Sequence, residues 1–175
     1  MSGRIRLFGI AAATIASILF LTGSGNREET DAYEWPCWRG PEHNGVSTEN
    51  EWDPTALEGG ANVRWHVDLG AGLSNVAVVD GRVFTLGNKD RGAHVFCLNA
   101  RNGREVWRTT FPNTPRENHS TPAVSDGRVF ALSGTGTLLC LNAEDGSEIW
   151  STDLLRDFEA SRPDYGWATS PIVYG

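Results

Sequence analysis

The stretch CLNARNGREVW (residues 97–107) returns as CLNAEDGSEIW (140–150), so the chain spells nearly the same eleven residues twice. Cys, Leu, Asn, Ala, Gly, Glu and Trp recur at matching places, Ile149 answers Val106, and the spacing is forty-three residues. A fixed period of this size speaks about architecture before any single residue speaks about chemistry. Upstream, VVDGRVFTL (78–86) is answered by VSDGRVFAL (124–132) at a spacing of forty-six. The three extra residues fall where GNKDRGAH (87–94) stands against SGTGT (133–137). An insertion of that kind is expected in a surface loop.

Each unit reads as strands. Asp80-Gly81 and Asp126-Gly127 precede alternating Arg-Val-Phe runs, a hairpin signal because Gly readily takes positive φ. Four short strands are expected in the first unit, over 75–79, 82–86, 94–99 and 105–109, with Asn102-Gly103 turning the last pair and Asp145-Gly146 doing so in the second unit. No helical period competes after the N-terminus. A four-stranded antiparallel unit repeated every forty-odd residues is a propeller blade. WD40 repeats have this period, but their Gly-His and Trp-Asp signatures are missing, and kelch repeats run longer.

Trp65 lies forty-two residues before Trp107, which makes 63–68 a closing fourth strand without its first three. Blade 1 then spans 74–109 and blade 2 spans 118–152. ATSPIVYG matches STPAVSDG in outline, so 168–175 is expected to open a third blade. The fold class is therefore all-β: a β-propeller whose N-terminal fragment, with about two complete blades, makes up 63–175, behind a segment over 26–62 and a signal or anchor helix over 1–25. The chain reads as part of a longer propeller.

The Trp at the end of the fourth strand, after a tight Gly turn, resembles the tryptophan-docking motif of the PQQ-like (pyrroloquinoline quinone repeat) propellers. That family includes quinoprotein dehydrogenases and the propeller lipoprotein of the outer-membrane barrel-assembly machinery. The family pattern has a small residue where Cys97 and Cys140 stand, Asp where Asn99 and Asn142 stand, and Thr where Asn102 and Asp145 stand, while Gly103, Gly146, Trp107 and Trp150 fit it. The motif is a packing device: Trp65, Trp107 and Trp150 are expected to anchor neighbouring blades, with the small Cys97 and Cys140 leaving room for an indole. WPCWRGPEHNGVS (35–47) and the 153–173 stretch are similar to the secreted bacterial propellers of the planctomycete type.

Arg4 and Arg6 precede an apolar run over 7–21 and then small residues. A largely apolar stretch of fifteen residues suits a signal-peptide core better than a membrane span, with an uncleaved signal anchor as the alternative. Either way the propeller is expected to be exported, to the periplasm, the cell surface or the medium, touching a membrane only through this segment. Outside the first twenty-five residues, thirteen basic residues stand against twenty-two acidic ones, and Lys89 is the single lysine. Nucleic-acid binding, which needs clustered Lys and Arg, is excluded. Cys97 and Cys140 occupy equivalent places in successive blades and read as buried small residues, while Cys37 has no evident partner.

In the family, the funnel over the central channel is lined by segments that lead into each first strand. The resemblance places Ser74, Asn75, Asn118, His119, Ser120, Trp167 and Ser170 there as candidate ligand-binding residues, although Asn and Ser before a strand commonly make turn hydrogen bonds. No catalytic residue and no metal site is assigned, since one His without a second ligand holds no metal. Two functions remain. One is a binding or scaffolding propeller for a protein, peptide or polysaccharide. The alternative is a dehydrogenase of alcohols or sugars dependent on PQQ and calcium, whose catalytic constellation would lie in blades outside these residues.

Overall fold

The computed structural model describes residues 34–50, 53–112 and 118–174. The expected signal segment, 1–25, lies outside them. Two four-stranded antiparallel sheets carry the fold. The first runs β1 (Ala77–Val79), β2 (Arg82–Lys89), β3 (Gly92–Asn99), β4 (Glu105–Thr110); the second runs β5 (Ala123–Ser125), β6 (Arg128–Leu132), β7 (Thr137–Asn142), β8 (Glu148–Asp153). Each strand pairs with the next in sequence. Asp80 and Gly81 have φ of 50° and 67°, and Asp126 and Gly127 have 48° and 68°. Both central residues are thus left-handed, the geometry that matches the twist of a two-residue hairpin.

The inserted stretch 87–94 is not a loop. It lengthens the hairpin, with Gly87 opposite His94, Asn88 opposite Ala93 and Lys89 opposite Gly92, and it turns at Asp90-Arg91, where φ is 51° and 65°. His94 fastens the extension: one ring nitrogen bonds Lys89 O at 2.8 Å and the other bonds Thr110 Oγ1 on β4 at 2.9 Å.

A strand needs a hydrogen-bonded neighbour, and segments 63–68 and 168–174 pair with no strand among the described residues. The first segment is held through Trp65 and through Lys89 Nζ, which donates to Asp68 O at 2.7 Å. β1 begins at Ala77, two residues later than expected, and a short helix, α1 (Leu154–Asp157), interrupts the β pattern after β8. Asp153 caps that helix by accepting the amide protons of Leu155 and Arg156. Among the described residues no helix is long and apolar enough to cross a membrane.

Because side chains alternate along a strand, each sheet has two faces to bury. Phe84, Leu86, Val95, Cys97 and Trp107 of the first sheet pack against Val129, Ala131, Leu139 and Leu141 of the second. The other face of the first sheet, Val83, Phe96 and Leu98, is covered by Trp65 and Leu69. The sheets therefore stack face to face, and an indole stands at each junction.

Candidate functional site

Trp65 Nε1 donates to Ala100 O at 2.9 Å, and Trp107 Nε1 donates to Ala143 O at 3.1 Å; Ala100 and Ala143 are the same position of the repeat. Each indole lies over the glycine of the turn it meets. A Cβ on Gly103 would stand 2.6 Å from Trp65 Cε3, and one on Gly146 would stand 2.5 Å from Trp107 Cε3. The space for each indole thus comes from Gly103 and Gly146. Cys97 and Cys140 act within their own sheets. Cys97 lies across the ladder from both Phe84 and Trp107, whose ring centroids meet at 5.9 Å, and Cys140 lies likewise between Phe130 and Trp150, at 6.1 Å. Trp150 is 42% exposed and has no turn to dock on among the described residues, whereas Trp107 is 8% exposed.

All three described cysteines are free and buried. Burial pushes the Cys97 thiol from its ordinary 9.0 up to about 11, with Arg82 acting slightly against the shift. The folded chain holds this proton more tightly than the unfolded one. The contribution is therefore intact below pH 9 and is lost as the pH rises towards 11. The urea midpoint is expected to fall over that window, and more steeply than in Cys97→Ala.

Of the residues expected around the funnel, the Asn118 and Ser170 side chains join neighbouring segments, whereas Ser120 Oγ and Trp167 Nε1 are buried without a hydrogen-bond partner among the described residues. Asn118 is fully buried: its Nδ2 donates to Asn88 Oδ1 at 2.7 Å, its Oδ1 accepts Gly134 N at 3.2 Å, and its backbone O accepts Leu73 N at 2.8 Å. Ser170 Oγ accepts Thr121 N at 2.9 Å, which ties the last described segment to the one leading into β5. Ser74 Oγ donates to Asn75 O and accepts Leu86 N, while Asn75 is exposed. Ser120 is fully buried, and His119 and Trp167 are partly buried, with Trp167 N donating to Gly134 O. Among the described residues no group of three or more His, Cys, Asp or Glu could hold a metal. Asn118→Leu keeps the volume but strands the Gly134 amide and removes the bond to Asn88 Oδ1. It is expected to lower unfolding free energy by about 1–3 kcal/mol in urea denaturation.

An opening lies at the opposite end, where the hairpin turns 80–81 and 126–127 meet the 34–49 segment. Sequence reasoning missed it. The signal was the 35–47 motif, whose Trp35 exchanges both backbone hydrogen bonds with Val78 at 2.8 Å and whose Pro36 O accepts Val124 N at 2.8 Å. This segment thus runs along the inner edges of β1 and β5. It folds back because Trp35 packs against Gly40, Cys37 Sγ donates to Gly40 O at 3.1 Å, and Arg39 donates to Asn44 O. A groove of about 1450 Å³ results. Trp35, Pro36, Val78 and Val124 contribute its apolar lining, and Glu34, Glu42, Glu49, Asp80, Asp126 and Glu144 line it with carboxylates. Arg82 is the one basic lining residue, and its guanidinium donates to Ala143 O and Glu144 O.

Four-stranded blades stacked face to face, with an indole of one segment seated on the turn of the next, place the molecule among the PQQ-like β-propellers. A family model described as "Outer membrane protein assembly factor BamB" matches residues 55–166, more than half of the chain, and the chain belongs to that family. No curated protein matches the sequence. Among solved structures, quinohemoprotein alcohol dehydrogenase from Comamonas testosteroni is 17% identical with a TM-score of 0.57, and the match covers 71% of this chain and 20% of that one. A europium-containing methanol dehydrogenase is 16% identical with a TM-score of 0.56, covering 71% of this chain and 23% of that one. The chain spans about a fifth of the length of these structures. At such identities the likeness is one of fold.

Proposed function

We propose that the chain is part of an exported propeller that binds a protein partner and does not itself carry out redox chemistry. The observation that carries this reading is the contrast between the two ends of the blades. At the funnel end, Asn118 and Ser170 hold neighbouring segments together, so these two side chains fasten the fold. At the other end, an open groove presents a row of carboxylates beside an apolar floor. The description of the matching family, an assembly factor, agrees with a binding role.

The described residues do not by themselves form a site for PQQ and calcium. The buried amide of Asn118 is already bonded on both sides, and no acidic cluster for a divalent ion is gathered at the funnel end among the described residues. The test is a tryptophan fluorescence titration with PQQ in the presence of calcium. Fluorescence is expected to stay unchanged; saturable quenching that disappears on chelating calcium would replace this reading with the dehydrogenase one.

A further inference from the structure

We propose that the groove between the 34–49 segment and the hairpin turns takes an extended peptide carrying Lys or Arg side chains, an assignment that rests on the binding-module reading. Backbone geometry comes first. Val78 and Val124 are equivalent residues of the repeat, and each has an edge that faces away from its own hairpin partner. At Val78 that edge is filled, since Trp35 both donates to its carbonyl and accepts from its amide. At Val124 only the amide is matched, by Pro36 O, and no backbone amide of the described residues donates to the Val124 carbonyl. Pro36, which takes that amide, has no N–H to return, so the Val124 carbonyl beside the groove needs a donor from elsewhere. The chain's own Trp35 thus illustrates the occupant this edge accepts: one extended residue presenting an N–H.

Charge fixes the side chains of that occupant. The six carboxylates are all exposed, and the lone cation of the lining, Arg82, is bound to carbonyl oxygens and faces none of them in an ion pair among the described residues. A peptide of alternating Lys and Val would lay Val against Val78, Val124 and Trp35 and turn Lys towards Asp80, Asp126 and Glu144, because strand side chains alternate between faces. The volume exceeds the roughly 300–1,000 Å³ of small-molecule sites, which favours a polymer over a metabolite.

The test is fluorescence anisotropy on the 175-residue chain with three labelled peptides: alternating Lys-Val, alternating Glu-Val, and a Lys-Val peptide N-methylated at every Val. The first is expected to bind and to weaken as salt is raised; the second is expected not to bind. The third is expected to lose about tenfold in affinity or more, because it lacks the amide protons that an open carbonyl needs. The triple variant Asp80→Asn, Asp126→Asn, Glu144→Gln should weaken the first peptide by about tenfold. Asn tolerates the left-handed turn positions, and circular dichroism checks that the variant is folded. Equal affinity for Lys-Val and Glu-Val, no loss on N-methylation, or no binding at all would overturn the assignment. Should any of these occur while PQQ still fails to quench, the groove is wrong and the binding-module reading stands. Calcium-dependent quenching by PQQ overturns that reading itself.

Discussion

Trp107→Ala is expected to lower the unfolding free energy by about 3–5 kcal/mol, the range of buried aromatic truncations. Three losses coincide. The indole fills the junction between the sheets at 8% exposure, its Nε1 donates to the Ala143 carbonyl that Arg82 also reaches, and its ring meets Phe84 at 5.9 Å. The gap cannot close readily, because Gly146 offers no side chain to fill it and Thr109 Oγ1 pins the same turn through Gly146 O at 2.6 Å. Trp150→Ala is the matched control. Trp150 has the same place in the repeat and the same aromatic neighbour, Phe130, but is 42% exposed and docks on no described turn. A loss of about 1 kcal/mol is expected, as for a largely solvent-facing side chain that keeps one aromatic contact. Urea denaturation followed by far-ultraviolet circular dichroism gives both values. Equal losses would mean that the junction with the second sheet contributes little.

Much of the fold was legible because its determinants are local. Asp80-Gly81 and Asp126-Gly127 specify left-handed turns by themselves, and the alternation of Val83, Phe84, Thr85 and Leu86 specifies two faces. Where sequence and structure part, a distant partner decides the outcome. The 87–94 stretch has the composition of a loop because Gly, Asn, Lys and Asp disfavour strands, yet His94 bonds Lys89 and Thr110 and holds the pairing to its end. The segment 63–68 has a strand composition, but composition alone supplies no neighbour to pair with. The groove was hidden for the same reason: Trp35 meets Val78 and Pro36 meets Val124 across forty to ninety residues of chain, and no pattern within 34–49 announces those bonds. The funnel residues were visible as polar side chains before strands. Which of them would be engaged in joining blades was not visible, because the partners of Asn118 lie thirty residues before it and sixteen after.

Gly146→Ala should cost roughly 2–5 kcal/mol, and the comparison that interprets it is Gly127→Ala. Both glycines are left-handed, at φ of 73° and 68°, so any Cβ brings a backbone penalty of about 1–2 kcal/mol at either position. The surroundings differ. At Gly127 nothing stands within 4 Å of the added carbon, and the backbone penalty is the whole effect. At Gly146 the carbon would arrive 2.5 Å from Trp107 Cε3 and 2.6 Å from Cδ2. The ring cannot yield cheaply, since withdrawing it breaks the bond to Ala143 O, and overpacking of this kind adds about 1–3 kcal/mol. If the excess at Gly146 is mainly the collision with the indole, most of it must vanish once the indole is gone: in a Trp107→Ala background, Gly146→Ala should exceed Gly127→Ala only by the contact with Thr109 Oγ1 at 3.0 Å. An excess that persisted there in full would assign the glycine to turn geometry alone, and would leave the pairing of Gly and Trp across successive repeats without a steric cause.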